Sequence, residues 1–401
     1  MTRARFLDRT TPPHIATLVL LSGLGALNMN MFLPSLPGMA RDFGVEYSVM
    51  QLSVSAYLAV SAVVQLLVGP LSDRYGRRPV TLAALTIFVL ATLGTLLAPT
   101  AGVFLGFRMM QASVVTGLVL SRAVVRDMVP GPQAASMIGY VTMGMSLAPM
   151  LGPIAGGALD EVFGWRATFI TLGACGLLVL ALIWADLGET GQRGTGSFAD
   201  QARHYPELLT SRRFWGYALA ATTSSGAFFA YIGGAPFVGA EVFGLNPAAV
   251  GYYFAAPAIG YALGNFLSGR YSVRLGIERM VLAGAIVSTL PLAAALVLDL
   301  AGTSHPLTFF PFVGLMALGN GLLLPNANAG MMSVRPELAG TASGLGGTMT
   351  IGGGAALAAL AGALLSVESG ASPLLMLMLV SSAASIPSIL WVMRRRKSLG
   401  I

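Results

Sequence analysis

Long apolar runs broken by short polar connectors make up almost the whole chain. A helix needs roughly 20 mainly apolar residues to cross about 30 Å of hydrocarbon, and there each backbone group must find its partner within the helix. Twelve runs meet that requirement, near 14–36, 48–70, 79–98, 102–124, 134–157, 166–186, 214–239, 248–269, 279–298, 306–331, 338–365 and 372–393. The pattern predicts an all-α membrane protein with twelve transmembrane helices. Arg3, Arg5 and Arg9 precede the first run as in a signal peptide. That run is too long for one and lacks a small-residue cleavage site, so it reads as a retained first helix.

The connectors divide by charge. With the amino terminus cytoplasmic, that side receives Arg3, Arg5, Arg9, Arg74, Arg77, Arg78, Arg122, Arg126, Arg193, Arg203, Arg212, Arg213, Arg270, Arg274, Arg279, Arg335, Arg394, Arg395, Arg396 and Lys397. The outer side keeps only Arg41 and Arg166. The positive-inside rule then puts both termini in the cytoplasm and makes the span count even. The longest polar stretch cuts the runs into six and six. It gives an amino-terminal bundle over 1–187, a cytoplasmic linker over 188–213 and a carboxy-terminal bundle over 214–401. Leu71-Ser72-Asp73-Arg74-Tyr75 after the second span echoes Leu267-Ser268-Gly269-Arg270-Tyr271 after the eighth, so the halves read as related by duplication and a pseudo-twofold axis.

Composition agrees with a lipid environment. Of 401 residues, 55% are hydrophobic and 10% charged, against roughly 25% charged in soluble domains. The net charge of +7 is dispersed over connectors rather than gathered on one surface, so no nucleic-acid partner is expected. The single cysteine, Cys175, lies in an apolar run and allows neither a disulfide nor a cysteine metal cluster. No Gly-rich phosphate loop and no clustered His/Asp set appears, which argues against an enzyme, a cofactor or a metal site.

The chemistry sits in a few strings. Gly69-Pro70-Leu71-Ser72-Asp73-Arg74-Tyr75-Gly76-Arg77-Arg78-Pro79 forms a tight connector whose glycines permit the turn, whose Asp73 can face a helix amino end or an arginine, and whose arginines hold the anionic leaflet. In the fourth span Arg108-Met109-Met110-Gln111 sets a permanent cation in an apolar run, which demands a polar cavity or a partner. The fifth span carries Ala148-Pro149-Met150-Leu151-Gly152-Pro153-Ile154-Ala155-Gly156-Gly157, suited to a hinge at a close helix contact. Further pieces are Phe32-Leu33-Pro34-Ser35-Leu36-Pro37, Ser121-Arg122-Ala123-Val124-Val125-Arg126-Asp127, Phe228-Phe229-Ala230-Tyr231-Ile232, Ala235-Pro236-Phe237-Val238, Pro325-Asn326-Ala327-Asn328 and Ala339-Gly340-Thr341-Ala342-Ser343.

Together these strings resemble the major facilitator superfamily, in its bicyclomycin and chloramphenicol resistance branch (Bcr/CflA). The resemblance implies two six-helix bundles and multidrug-type efflux of a small organic molecule, by antiport across the bacterial inner membrane. It implies that Gly69, Asp73, Arg74, Gly76, Arg77 and Arg78 form a cytoplasmic gate, and that Pro149, Gly152, Pro153, Gly156 and Gly157 form a hinge. Ala112 stands where the family's fourth-helix motif has glycine, and Asn30 where exporters of this branch carry an aspartate.

Asparagine carries no proton, and each acid of the chain falls in a connector or at a helix end. His14, His204 and His305 are equally peripheral. Coupling therefore uses a peripheral acid such as Asp73 or Asp127, or transport is not proton antiport. The alternative is the related uptake branch, with a nutrient such as riboflavin as cargo. Copper fits less well: of the twenty methionines, pairs such as Met29 and Met31, Met143 and Met145, or Met331 and Met332 suit packing too, and spans seven and eight hold neither Met nor His. An organic cargo would find hydrogen-bonding groups in Asn30, Gln111, Asn265, Asn320, Asn326 and Asn328, and stacking faces in Tyr57, Phe229, Tyr231 and Tyr261. Helix-to-helix bonding is an equally good use for each. The expected machine is a monomer in the bilayer with its site between the halves, Arg108 and Asn30 on one wall. On that reading Arg108→Ala abolishes transport without loss of expression.

Overall fold

The computed structural model describes residues 5–128, 137, 141, 148–191, 205–335 and 338–399, and among these there is no strand. The first span is α1 (Ile15–Asn30), a 3-10 turn (Leu33–Ser35) and α2 (Leu36–Phe43). The second and third are α3 (Tyr47–Tyr75) and α4 (Arg77–Leu96). The fourth is α5 (Ala101–Met110), a 3-10 turn (Gln111–Val114) and α6 (Val115–Met128). The fifth is described as α7 (Ala148–Phe163) and the sixth as α8 (Arg166–Asp186). A short α9 (Tyr205–Leu209) leads to the seventh, α10 (Arg212–Phe237), and the eighth is α11 (Pro247–Tyr253) with α12 (Ala255–Leu275). The last four are α13 (Ile277–Leu300), α14 (Pro306–Ser333), α15 (Ala339–Leu364) and α16 (Ser372–Leu399). Outside the described residues lie Arg3, most of the opening of the fifth span with Met143 and Met145, linker residues 192–204 with Arg193, Arg203 and His204, and the side chain of Pro149.

Nine described helical segments are long and apolar enough to cross a membrane. The remaining three expected spans are helical as well. The fifth is described mainly from Ala148, the seventh is rich in Gly, Ser and Thr, and the eighth is broken at Phe254. Several helices outrun the apolar runs that foretold them. Pro70, expected at the end of the second span, lies inside α3, which continues to Tyr75. The break after Asn30 follows from Pro34 and Pro37, since a proline removes a donor and crowds the carbonyl four residues back.

The turns reveal how the halves correspond. Gly44 (φ 64°) and Gly244 (φ 65°) end the first and seventh spans, and Gly76 (φ 101°) and Gly276 (φ 84°) join the second to the third and the eighth to the ninth. Each pair is 200 residues apart, and each glycine holds a left-handed backbone that a Cβ would strain. The sequence echo from Leu71 and Leu267 is only 196 apart, so it is out of step by four residues, about one helical turn. The strings therefore do not occupy the same place in their halves. The counterpart of Asp73 is Val273, and that of Arg74 is Arg274.

Glycines set the closest helix crossings in the second half. Gly260 and Gly264 of α12 lie against backbone carbonyls of Gly314 and Leu318 in α14, and Gly284 of α13 lies against that of Gly319. Such small-residue contacts replace the hydrophobic drive that lipid cannot supply. Buried aromatic side chains fill the end of the bundle that carries Arg41, where Phe32, Phe104, Trp165 and Phe169 meet edge to face or tilted at 5.4–5.9 Å.

Candidate functional site

Arg108 is the centre of the first half. It is 0% exposed, and the 3-10 turn after α5 brings Gln111 back beside it. Its Nη1 donates to Asn28 Oδ1 at 2.8 Å and to Gln111 Oε1 at 2.7 Å, its Nη2 to the Asn28 carbonyl at 2.9 Å, and its Nε to the Ser53 carbonyl at 3.2 Å. The guanidinium is sandwiched between Phe32 and Tyr57, 4.2 Å and 4.3 Å from the ring centroids. No carboxylate touches it among the described residues. The charge is carried by four neutral acceptors and two ring faces, so four of the five guanidinium N–H groups are already bonded inside the bundle. Gln111 Nε2 goes on to Thr92 Oγ1 at 2.8 Å, and Asn28 Nδ2 to the Tyr57 hydroxyl at 3.2 Å, which ties four spans together.

Other residues expected on the cavity wall divide into two groups. Asn30 is buried and donates to the Ala26 carbonyl of its own helix at 2.7 Å. Asn320 bonds Ser224 and Ser288, and Asn326 bonds Ser268 Oγ at 2.8 Å and the Leu322 carbonyl, so both are spent on helix-to-helix links inside the second half. Tyr231 is buried among Phe228, Phe254, Phe309 and Phe310, its hydroxyl unbonded among the described residues. These placements correct the expectation of a wall for Gln111, Asn320, Asn326, Tyr57 and Tyr231: each side chain points into packed protein. Phe229, Tyr261 and Asn265 are half-buried and Asn328 is exposed, so these four can still meet a cargo.

The halves are bonded at one end. Arg41 pairs with Glu241 at 2.5 Å, Tyr47 donates to the Gly233 carbonyl at 2.7 Å, Gln51 to the Ala358 carbonyl at 2.6 Å, and Asn246 to Glu161 at 3.1 Å. Arg41 and Glu241 are themselves 200 residues apart, hence equivalent, so their meeting marks the pseudo-twofold axis. Beside them α7 and α11 cross in backbone contact. Gly157 abuts the carbonyl of Pro247, and Gly251 reciprocally abuts that of Pro153. Gly152 and Gly156 of the expected hinge instead seat α7 against Asn30 and Met31 of its own half. Asp160, beyond the apolar part of α7, has its carboxyl raised above the ordinary value by burial, with Glu161 adding to the rise and Arg41 opposing it.

At the arginine-rich end, each hydrogen bond seen between described residues stays within one half. Arg77 pairs with Asp73 at 2.6 Å and Asp127 at 3.2 Å and also donates to Ser72. Arg78 donates to the Leu187 and Trp184 carbonyls at 2.8 and 3.0 Å, closing the end of α8. Arg74 lies over the Tyr75 ring at 5.4 Å. Gly69 is open, with nothing within 4 Å of a would-be Cβ, while Gly76 gives its place to the Glu189 carboxylate. That carboxylate accepts from the backbone N–H groups of Arg77 (2.8 Å), Arg78 (3.3 Å) and Gly191 (3.1 Å), capping α4 where its dipole is positive.

The sequence reading missed Gln51, Glu189 and Asp186 as structural anchors. Gln51 was legible as a polar residue inside an apolar run. Asp186, 0% exposed, accepts from the Leu7 and His14 backbone N–H groups (2.7 and 2.9 Å) and the Thr17 hydroxyl (2.6 Å), strapping the amino-terminal segment to the sixth span. Asp186→Ala is expected to leave the buried Thr17 hydroxyl unpaired, at about 1–3 kcal/mol, and to release the part-buried Leu7 and His14 N–H groups. Limited proteolysis should then cut at Arg9 in the variant and spare the parent; equal resistance would remove Asp186 as the strap.

The described residues form helices at all twelve expected spans, in two corresponding halves bonded at one end, which is a multi-pass membrane fold. The chain belongs to the major facilitator superfamily, whose family model matches residues 18–359 and again 240–400. Relatives include the uncharacterized MFS-type transporter YdgK of Bacillus subtilis (strain 168), 32% identical over 343 residues, 83% of this chain and 84% of the relative. Multidrug resistance protein D of Escherichia coli (strain K12) is 30% identical over 364 residues, 90% and 91% of the two chains. The bicyclomycin resistance protein homolog of Haemophilus influenzae is 29% identical over 360 residues, 88% and 89%. Among solved structures, a bacterial homologue of the human lysosomal transporter Spinster, in an inward-facing and unoccupied conformation, shares the fold with a TM-score of 0.71 at 17% identity over 95% and 94% of the chains.

Proposed function

We propose that this chain exports small amphipathic organic molecules across the bacterial inner membrane by alternating access, as a monomer with both termini cytoplasmic. The observation that carries the reading is the one-ended bonding of the halves: the end with Arg41 and Glu241 is sealed by the α7–α11 crossing, and at the arginine-rich end no described hydrogen bond links the halves. With arginines held inside by the positive-inside rule, this is an inward-open transporter receiving cargo from the cytoplasm. The names of the multidrug and bicyclomycin relatives support export over uptake. The bundles over 1–187 and 214–401 rock about the sealed end, with residues 188–213 as their linker. Half-buried Phe229, Tyr261 and Asn265 and exposed Asn328 receive the cargo.

Inside-out vesicles carrying the protein should accumulate ethidium when their interior is acidified, and the accumulation should collapse when the gradient is dissipated. Dye that merely equilibrates regardless of the gradient would exclude coupled export. Arg77→Gln should cut accumulation at least tenfold without loss of protein, because it releases Asp73 and Asp127 together from the inner loop. Undiminished transport by that variant would take the loop out of the cycle.

A further inference from the structure

At the arginine-rich end of the second half a cavity of about 490 Å³ opens beneath three spans. Arg212 and Arg213 enter it from the start of α10, Arg335 from the end of α14 and Arg395 from the last turns of α16, with Thr210 and Ser211 beside them. No acid is among the described residues that line it. Glu278, at the same end, is already held by Arg396 and by the Tyr217 hydroxyl at 2.7 Å. Among the described residues no hydrogen bond or ion pair engages the side chain of Arg212 or Arg213, and Arg213 Nε is buried there without a partner. Two unspent guanidinium forks thus share a cavity with two further cations and the amino end of a long helix.

We propose that this cavity binds a phosphate-bearing anion, with the headgroup of an anionic lipid as its source. At the edge of a low-dielectric layer the charges of Arg212 and Arg213 favour an anion with several acceptor oxygens. Guanidinium forks match phosphate oxygens bidentately, and Ser211, which caps α10 through Phe214 N–H at 3.4 Å, keeps its O–H free to donate. The volume lies within the range of about 300–1,000 Å³ for small-molecule sites, far more than a single ordered water needs. Its position at the ends of three spans is that of the headgroup layer, where basic pockets between helices select acidic lipids. The inference is independent of the direction of transport.

The test uses the full-length protein, stripped of lipid in detergent, with retained lipid counted by native mass spectrometry and unfolding followed by temperature. Phosphatidylglycerol should be retained and should raise the melting temperature, whereas phosphatidylcholine should do neither. Arg212→Gln with Arg213→Gln should weaken phosphatidylglycerol retention at least tenfold. Arg270→Gln with Arg274→Gln, which removes equal charge from the exposed end of α12, should leave it within twofold. If the first double variant does not fold, Arg395→Gln alone should still lower retention. Displacement of the lipid by millimolar inorganic phosphate would uphold the site and make a soluble phosphate its source. Equal loss in both double variants, or no preference for phosphatidylglycerol together with no response to phosphate, would overturn the site.

Discussion

Gly157→Val is expected to drive the transporter open at its sealed end while leaving each half folded. The two halves touch there through backbone: a side chain on Gly157 would run into the Pro247 carbonyl, and one on Gly251 into that of Pro153. Overpacking of a close contact costs about 1–3 kcal/mol, and the state in which α7 and α11 separate escapes that cost. The equilibrium should therefore move by roughly 5- to 150-fold toward the outward-open form. Breaking the neighbouring ion pair should do far less. Arg41 and Glu241 are 67% and 32% exposed, and pairs of that kind are worth about 0–1 kcal/mol. Glu241→Gln is thus the weak perturbation and Gly157→Val the strong one. Spin labels at Val162→Cys and Thr303→Cys, in a Cys175→Ala background, report the separation of the halves at this end. The distance should lengthen in Gly157→Val and in Gly251→Val, and stay put in Gly106→Val, where nothing lies within 4 Å of a new Cβ. An unchanged distance in both crossing variants would show that the seal is not made here.

The sequence carried the fold further than it carried the site, for a physical reason. A lipid-spanning helix must be both long and apolar, so most of the spans announce themselves locally, nine of them by length and hydropathy alone among the described residues. The breaks announce themselves too: Pro34 and Pro37 foreshadow the 3-10 turn, and Gly76 its left-handed corner. What a polar residue inside a span faces is not local. Asn320 and Asn326 have the same chemistry as Asn328, yet two bond neighbouring helices and the third is exposed. Only the rotation of α14 in its bundle separates them, and periodicity in an almost wholly apolar helix leaves that rotation unmarked. The echo from Leu71 and Leu267 misled for a related reason. Four residues make about one turn, so a string displaced by one turn keeps its helical face, and the offset shows only at the glycine corners.

The same limit governs Arg108, whose removal is expected to unfold the first half rather than merely silence it. A cation in an apolar span signals either a cavity or a set of partners, and the sequence cannot choose. Here Asn28, Gln111 and the Ser53 carbonyl take four of the five guanidinium N–H groups, and the faces of Phe32 and Tyr57 cover the plane. Deleting it leaves buried acceptors unpaired, at about 1–3 kcal/mol each, and in Arg108→Ala adds a cavity. Arg108→Met fills the space but orphans the same acceptors. Arg108→Lys keeps the charge and loses the fork that reaches two residues at once. Stability should fall in the order Lys, Met, Ala, with at least about 3 kcal/mol lost in the last. Thermal melting of the purified variants, read beside dye transport by the same preparations, decides the matter. Transport that declines in step with melting makes Arg108 the keystone of its bundle. A variant that melts like the parent and yet moves no dye would return the charge to the transport cycle itself.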